Sequence, residues 1–235
     1  MAKSNYAYVR KAEEATDHCL LPACFIVVRI DGQNFHHFAK THRFFKPNDK
    51  RALDLMVDCA QFVMKQFYPN IIIAYGQSDE FSFVFRRETD IYKRRQSKIT
   101  SLVVSSFSSA FVFYWNKYFH SFEGESEQFN TSLQYPPSFD SRCVLYATDK
   151  ELMDYLKWRQ VDCHVNNLYN TTLSAMTGEY SKWPLEDNRP KHNHKYYTSK
   201  EATKKLSGTF SSDKHEIMFT EYNINYNNEL EQFKK

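Results

Sequence analysis

Two acidic turns, each directly after an apolar, strand-like run, are the residues of this chain best suited to chemistry. Asp31 follows the apolar run of residues 24–28, and Asp79 and Glu80 follow the run of residues 71–76. Mg2+ prefers oxygen ligands and usually takes one or two protein carboxylates together with substrate phosphates. Two such ions can hold the attacking and the leaving oxygen of an in-line displacement at phosphorus. Carboxylates at the ends of neighbouring strands are therefore typical of a phosphoryl-transfer site.

Asp and Glu are also common in turns that have no catalytic role. Either turn alone fits that simpler interpretation better, and the pair in this strand order favours a site. Gly32 supports the pair, because a residue without Cβ lets its backbone carbonyl approach an ion or a phosphate closely. Glu80 is either a further ligand or the solvent side of its turn, and the sequence leaves both open.

The residues after Gly32 predict a loop suited to a nucleotide base or ribose: Gln33, Asn34, Phe35 and His36. A single histidine such as His36 is more often structural.

A basic run begins the second long helix predicted from the sequence. Arg94 or Arg95 and Lys98 are three or four residues apart, so on a helix they project together. Cations there would suit a triphosphate whose pyrophosphate leaving group needs neutralisation. Lys46 is a second phosphate candidate. Such a run is more commonly a solvated helix face, and that alternative stays open.

Residues 164–170 combine an imidazole, three amides and a phenol: His164, Asn166, Asn167, Tyr169 and Asn170. Asparagine is a poor residue for a helix interior, so the segment predicts a hydrogen-bonded helix end. The same side chains could hold and stack on an RNA base. Zinc binding with Cys163 is disfavoured, because no second ligand pair has suitable spacing.

The elements that must position these residues follow a β-α-β-β-α-β order. The apolar pattern predicts a strand at 24–30, a helix opening at Pro47 with a cap at Asn48 or Asp49, a hairpin of 71–76 and 81–86, a helix over 91–118 and a strand at 143–147. This is the ferredoxin-like pattern, an α+β palm with helices on one face of an antiparallel sheet. Its first and third strands are neighbours, so Asp31 and Asp79 are expected to lie close together.

The rest of the chain predicts a helical extension. Residues 121–141 and 178–200 predict loops, and a helix is expected from Asp149. We therefore expect a catalytic region at 1–148 and a C-terminal helical region at 149–235, which together form one compact unit.

Composition excludes several classes. The net charge of the 235 residues is only +3, so any RNA-binding surface must be a local patch. The chain has only five glycines, and they form no glycine-rich phosphate-binding loop. Five cysteines without C-x-x-C spacing indicate reduced thiols in an intracellular protein. No apolar stretch reaches membrane-span length, and acidic residues among the first 20 argue against a signal or transit peptide. We expect a cytoplasmic or nuclear protein.

Taken together, these segments resemble the eukaryotic tRNA-His guanylyltransferase family. The matching stretches are VVRIDGQNFHHF (27–38), KPNDKRALDLM (46–56), IAYGQSDEFSFVF (73–85), KRRQSK (93–98), LKWRQVDCHVNNLYNT (156–171), SSDKHEI (211–217) and YNINYNNEL (222–230). They span nearly the whole chain.

The resemblance implies a polymerase-like palm that adds one G to the 5′ end of tRNA-His in three steps. ATP adenylates the 5′-phosphate, the 3′-hydroxyl of GTP displaces AMP, and pyrophosphate is then removed. It implies two or more Mg2+ ions on Asp31, the Gly32 carbonyl and Asp79, with Ser78 and residues 31–36 contacting nucleotide. A homotetramer is also implied.

The resemblance gives further side chains a role. Arg95 and Lys98 match positions linked to activation or triphosphate contact, and Glu80 joins the catalytic set. The segment of residues 164–170, together with Lys214, matches a signature for tRNA handling. Gln33 stands where the family typically has Arg, and residues 173–205 depart from the usual sequence. A template-dependent 5′-end repair polymerase and a non-catalytic tRNA-binding protein remain the alternatives.

Overall fold

A computed structural model describes residues 5–119, 131–180 and 195–228. Its strands are β1 (Phe25–Gly32), β2 (Ile71–Gln77), β3 (Glu80–Phe85) and β4 (Phe139–Tyr146), and its helices are α1 (Ala7–Thr16), α2 (Phe35–Thr41), α3 (Lys50–Gln66), α4 (Gln96–Phe119), α5 (Asp149–Thr177), α6 (Ser199–Leu206) and α7 (Ser211–Tyr222). A 3-10 turn, Ile91–Arg94, precedes α4.

The four strands form one antiparallel sheet in the order β2-β3-β1-β4. This is the ferredoxin-like order, and the predicted α+β fold class is confirmed. In the register, Asp31 of β1 lies opposite Glu80 of β3 on one side and Asp140 of β4 on the other. The row of acidic residues at this end of the sheet therefore follows from strand pairing alone.

The two faces of the sheet are buried by different helices. Phe81 and Phe83 of β3 pack against Phe107 of α4, with ring centroids 5.8 and 6.2 Å apart. On the opposite face, Val27 and Val84 form a buried cluster with Leu152 and Tyr155 at the start of α5. Burial on both faces explains why β1 reads as a continuous apolar run.

The chain divides into two compact units. The first contains the described residues of Met1–His42 and Leu53–Leu156, which include the sheet and α4. The second contains those of Arg43–Ala52 and Lys157–Lys235. Its core joins the C-terminal part of α5 to α6, α7 and the residues after α7 through Leu168, Met176, Leu206, Met218 and Tyr226, among others.

The structure corrects several predicted elements. The helix predicted over 91–118 is interrupted, because Tyr92, Lys93 and Arg94 have left-handed backbone angles and α4 begins only at Gln96. Residues 35–41 form α2 instead of a loop. Strand β4 begins at Phe139, inside the predicted loop of 121–141, of which residues 120–130 lie outside the described part. Likewise, α6 begins inside the predicted loop of 178–200, of which residues 181–194 lie outside that part.

The helix cap predicted before α3 is present. Asp49 Oδ1 accepts the backbone N–H of Arg51, and Asp49 Oδ2 accepts that of Phe45. These bonds satisfy a backbone donor in the first turn and hold the preceding loop against the helix.

Within the described ranges, no helix is both long enough and apolar enough to cross a membrane.

Candidate active site

The first unit brings Asp31 and Asp79 together at the end of the sheet. The backbone N–H of Gly32 donates to the backbone carbonyl of Asp79 at 3.2 Å. A Cβ added to Gly32 would lie 2.8 Å from Asp79 Oδ2, so the strand end and the turn are in direct contact. A side chain at position 32 would therefore displace the carboxylate.

Electrostatics couple the three acidic residues of the two turns. Burial raises the pKa of Asp79 above its ordinary value, and the negative charges of Asp31 and Glu80 raise it further. Hydrogen bonds from the Asp79 backbone and the Ser78 side chain oppose the rise without cancelling it. The ionised form of Asp79 therefore lacks full compensation by the protein, which is the condition a bound cation relieves.

The side chains present fit Mg2+. The described residues contain no group of three or more His, Cys, Asp or Glu side chains placed to hold a metal ion. Mg2+ does not require such a group, because it is commonly held by one or two carboxylates plus water and substrate phosphates. Asp31, Asp79 and the backbone oxygen of Gly32 supply such a partial set.

Glu80 is buried and does not face solvent. Its side chain is 10% exposed, lies opposite Asp31 in the register, and has Oε2 3.8 Å from Nε of Arg29. The structure therefore excludes the alternative that Glu80 lies on the solvent side of its turn. Glu80 stands next to the carboxylate pair, on the same sheet face as Asp31.

Strand β4 adds charged groups that the sequence analysis missed. Asp140 lies opposite Asp31, and Arg142 lies opposite Arg29, one step further along the same sheet face. The Arg142 side chain is 53% exposed and its Nη2 is 3.3 Å from Asp140 Oδ1. Guanidinium groups suit phosphate oxygens. Asp140 and Arg142 are two residues apart, the spacing of side chains on one face of a strand, and this spacing could have indicated the strand. It was not used because residues 121–141 were predicted to form a loop.

The segment after Gly32 is a turn followed by a helix. Asn34 has a left-handed backbone and α2 starts at Phe35, so the predicted loop extends only over Gln33 and Asn34. The Phe35 ring stacks on Phe38 at 4.9 Å and lies within contact distance of the position of a Gly32 Cβ. Phe35 is thus part of the aromatic core, whereas Gln33, Asn34 and His36 are exposed. Ser78 is exposed in the β2–β3 turn.

Of the basic run before α4, Arg94 is structural. It is 7% exposed and its guanidinium donates to the backbone carbonyls of Leu20, Cys24, Arg87 and Thr89. The prediction that Arg94 could project beside Lys98 is therefore wrong.

The other two cations of the run stay accessible in part. Arg95 pairs with Asp17 at 3.1 Å and its side chain is 39% exposed. Lys98 is exposed, with Nζ 5.0 Å from the centroid of the Tyr92 ring. Both remain phosphate candidates in the first unit.

The second unit holds the remaining candidates. Lys46 Nζ pairs with Glu179 at 3.1 Å. Residues 164–170 lie in the middle of α5, so the predicted helix end is wrong. Lys214 Nζ donates to the backbone carbonyl and hydroxyl of Thr209 at 2.8 and 2.9 Å.

The asparagines of α5 have different surroundings. Asn167 Oδ1 accepts from Asn48 at 2.7 Å, and Asn167 Nδ2 donates to the Tyr226 hydroxyl at 3.1 Å. Asn166 and Asn170 are exposed and four residues apart, on one side of the helix. His164 is also exposed, with its ring 6.0 Å from that of Tyr226. Tyr169 is partly buried against the core of this unit. The amide of Asn167 has two hydrogen bonds inside the unit, whereas the exposed amide of Asn166 has one at the surface, from its Nδ2 to Asp162 Oδ2 at 3.1 Å. Asn166, Asn170 and His164 are therefore accessible to a ligand.

Comparison with known proteins identifies the family. Residues 6–147 match the family model described as tRNAHis guanylyltransferase, and residues 150–235 match the Thg1 C terminal domain. The chain belongs to the tRNAHis guanylyltransferase family. The resemblance seen in the sequence is confirmed, and the chain is an enzyme, a guanylyltransferase of tRNA processing.

Individual relatives agree with this assignment. The chain is 48% identical to the probable tRNA(His) guanylyltransferase of Mus musculus, over all of this chain and 70% of that protein. It is 43% identical to the tRNA(His) guanylyltransferase of Saccharomyces cerevisiae, over all of this chain and 89% of that one.

Solved structures share the fold. The crystal structure of the Saccharomyces cerevisiae enzyme superposes with a TM-score of 0.79 at 42% identity, covering 96% of this chain and 87% of that chain. A bacterial Thg1-like protein in complex with ATP has a TM-score of 0.70 at 22% identity, over 96% of this chain and 83% of that chain, and shows the fold alone.

Proposed function

We propose that this guanylyltransferase adds one G to the 5′ end of tRNA-His at the site formed by Asp31 and Asp79. The observation that carries the proposal is the contact of the two acidic turns through Gly32. Asp79, which lies at this contact, has a raised pKa because the protein does not fully stabilise its negative charge. Relatives whose names specify tRNA(His) as substrate support the choice of RNA.

The reaction consists of transfers at phosphorus, which one site can serve in turn. In the first, a 5′-phosphate oxygen of the tRNA attacks the α-phosphorus of ATP, and pyrophosphate leaves. In the second, the 3′-hydroxyl of GTP attacks the tRNA 5′-phosphorus, and AMP leaves. Hydrolysis then removes pyrophosphate from the new end. Two bacterial Thg1-like structures, in complex with ATP and with GTP, support these nucleotides as substrates.

Asp31, Asp79 and the Gly32 carbonyl would hold Mg2+. Mg2+ bound there supplies charge neutralisation at the reacting phosphates and a more acidic attacking hydroxyl. Glu80 orients the site by its pairing with Arg29 and its position beside Asp31. Nucleotide contacts are assigned to Gln33, Asn34, His36 and Ser78. These residues are exposed and lie close in sequence to Asp31 or Asp79.

The remaining cations would neutralise the triphosphate. Lys98 is accessible and bears no ion pair within the described residues, so its charge is available to a phosphate. Arg95 can reach a phosphate by exchanging its contact with Asp17. Lys46, which lies in the second unit and pairs with Glu179, stays a separate phosphate candidate. Phe35 supports the turn from within the core instead of contacting the nucleotide.

The tRNA is assigned to the second unit. His164, Asn166 and Asn170 would meet the RNA directly, because they are exposed on α5. Asn167 would hold α5 against Asn48 and Tyr226 so that these neighbours keep their positions. Lys214, bound to Thr209, and Tyr169 complete the set.

A transcript assay tests the proposal. A 5′-labelled tRNA-His transcript is incubated with the protein, ATP, GTP and Mg2+, and products are separated at single-nucleotide resolution. A product one nucleotide longer is expected. Multi-nucleotide extension that copies the opposite strand would instead indicate 5′-end repair, and tight binding without any product would indicate a binding protein.

Two further expectations belong to the proposal. The homotetramer is tested by light scattering of the purified protein, which should give four times the mass of the chain. The intracellular location stays a prediction, tested by imaging the tagged protein.

A further inference from the structure

A surface rich in lysine and tyrosine lies on the second unit, outside the residues assigned so far. It comprises residues of α6 and the residues before it, and we call it the α6 surface: Lys195, Tyr196, Tyr197, Lys200, Lys204 and Lys205. Four of these six residues are cationic, within a chain whose net charge is only +3. The charge is therefore concentrated locally.

The packing of α6 fixes which way its lysines project. Ala202 and Leu206 are buried in the core of the second unit, so Lys200 and Lys204 lie on the opposite side of the helix and are exposed. The first turn is held by a capping box in which Glu201 accepts from the backbone and hydroxyl of Thr198 at 2.9 and 2.8 Å. That carboxylate is thus engaged in the cap.

The lysines are not neutralised by the surrounding protein. In the part of the chain that the structure describes, neither Lys200 nor Lys204 forms an ion pair. Like charges four residues apart on a helix repel one another and disfavour the helix. An anionic ligand that contacts both would remove that repulsion.

Aromatic rings are placed among the cations. Lys205 Nζ donates to the Tyr197 hydroxyl at 2.8 Å and lies 4.3 Å from the ring centroid, and Lys195 Nζ is 5.5 Å from the same centroid. Tyr196 is 51% exposed and its ring lies against Gly178, 3.0 Å from the position of a Cβ there. The cations lie beside the partly buried Tyr197 ring, and the exposed Tyr196 ring is next to it in the chain. Cations together with an accessible ring are the combination by which proteins hold a phosphate backbone and stack an unpaired base.

We propose that the α6 surface binds the RNA substrate, with Lys200 and Lys204 on backbone phosphates and Tyr196 against an unpaired base. The proposal rests on the proposed function, because it takes tRNA as the RNA. An acidic protein would satisfy the lysines equally but leaves the exposed Tyr196 ring without a purpose. RNA uses both features.

The test measures the salt dependence of tRNA binding. Binding of tRNA-His transcript by the full chain is followed by fluorescence anisotropy at several salt concentrations for Lys200→Ala/Lys204→Ala. The matched control is Lys65→Ala/Lys150→Ala, which removes the same charge from exposed positions elsewhere. Each lost phosphate contact should reduce the slope of log K against log salt by about 0.7–0.9. The double variant should therefore lose about 1.5 in slope and roughly tenfold or more in affinity at 0.1 M salt.

A second variant separates stacking from charge. Tyr196→Leu should weaken binding several-fold while leaving the salt slope unchanged, because no phosphate contact is lost. Affinity and slope equal to those of the control for Lys200→Ala/Lys204→Ala would overturn the proposal. Binding of a polyglutamate probe is measured in parallel, and a loss of polyglutamate binding with unchanged tRNA binding would also overturn it.

The outcome is separable from that of the proposed function. G addition by the unmodified protein decides the function, and the salt slope decides the α6 surface. A protein that binds tRNA through these lysines but forms no product would retain the surface and refute the reaction. Circular dichroism and the melting temperature of each variant confirm that it is folded.

Discussion

Gly32→Ala is the change whose effect can be worked most directly from the structure. Its Cβ would lie 2.6 Å from Phe35 Cδ2 and 2.8 Å from Asp79 Oδ2, both shorter than real carbon contacts. Restoring ordinary contacts of about 3.4 Å requires Phe35 to move by roughly 0.8 Å and Asp79 by roughly 0.6 Å. A displacement of about 1 Å in a catalytic geometry can cost about 10²-fold in rate. We expect G addition to fall by about 10- to 100-fold.

The assay is single-turnover G addition to labelled tRNA-His, with the Mg2+ concentration for half-maximal rate measured in parallel. That concentration should rise, because the displaced carboxylate is a proposed ligand. Gly76→Ala is the matched control. Its Cβ would clash with the buried Phe81 ring and not with a carboxylate, so Gly76→Ala should lower the melting temperature more and the rate per folded molecule less.

Refutation would be clear in this comparison. If Gly32→Ala retained the wild-type rate and Mg2+ dependence, the contact between the strand end and the turn would have no role in catalysis. If Gly76→Ala lost as much rate per folded molecule, the effect of Gly32→Ala would be general strain in the sheet.

The remaining predictions concern charge and positioning. Because the pKa of Asp79 is raised in the folded state, the metal-free protein should lose stability as pH rises from the ordinary value of 3.8 through the raised value. Asp79→Asn should remove that loss, which thermal melts in EDTA at several pH values would measure. A variant with the same pH profile of stability as the wild type would contradict this. Lys98→Ala should slow a step that involves a triphosphate by about tenfold with the fold retained. If the variant kept the wild-type rate on both 5′-monophosphorylated and 5′-triphosphorylated tRNA, Lys98 would be only a solvated residue. Asn167→Ala should lower both the melting temperature and the rate of G addition, because it removes two hydrogen bonds within the protein. Asn166→Ala should reduce tRNA affinity alone. Identical effects of the two substitutions would show that Asn167 is not structural and Asn166 not RNA-binding.

The sheet was predictable because its signals are local. The apolar content of residues 24–30 and of the hairpin at 71–86 indicates buried strands. The acidic turns are predicted at the positions where these apolar runs end. Strand β4 was cut short in the prediction because Asp140 and Arg142 make its first half polar and it follows Pro136 and Pro137. Pairing with β1, a long-range contact, extends it.

Helix boundaries depended on contacts that no local pattern carries. The break before α4 is fixed by Arg94, whose guanidinium binds the backbone carbonyls of Leu20 and Cys24, which are distant in the chain, and that of the nearby Thr89. Helix α5 continues through its asparagines because Asn167 bonds to Asn48 and Tyr226, which outweighs weak helix propensity. Helix α2 has only seven residues and no side-chain cap, so it left no start signal.

The candidate site shows the same limit. Residue type and order identified Asp31 and Asp79 as a pair, since adjacent strands bring their ends together. The burial of Glu80 and the presence of Arg142 on the same sheet face depend on strand register, which a sequence without its pairing partners does not specify.

The most direct test of the central claim is metal binding and G addition by Asp31→Asn and Asp79→Asn. Each variant keeps the shape of the side chain and removes the charge, so circular dichroism should be unchanged. Mn2+ binding, followed by electron paramagnetic resonance in the presence of a GTP analogue, should weaken, and single-turnover G addition should fall by more than about 10²-fold. Wild-type turnover and Mn2+ affinity in either folded variant would contradict the account.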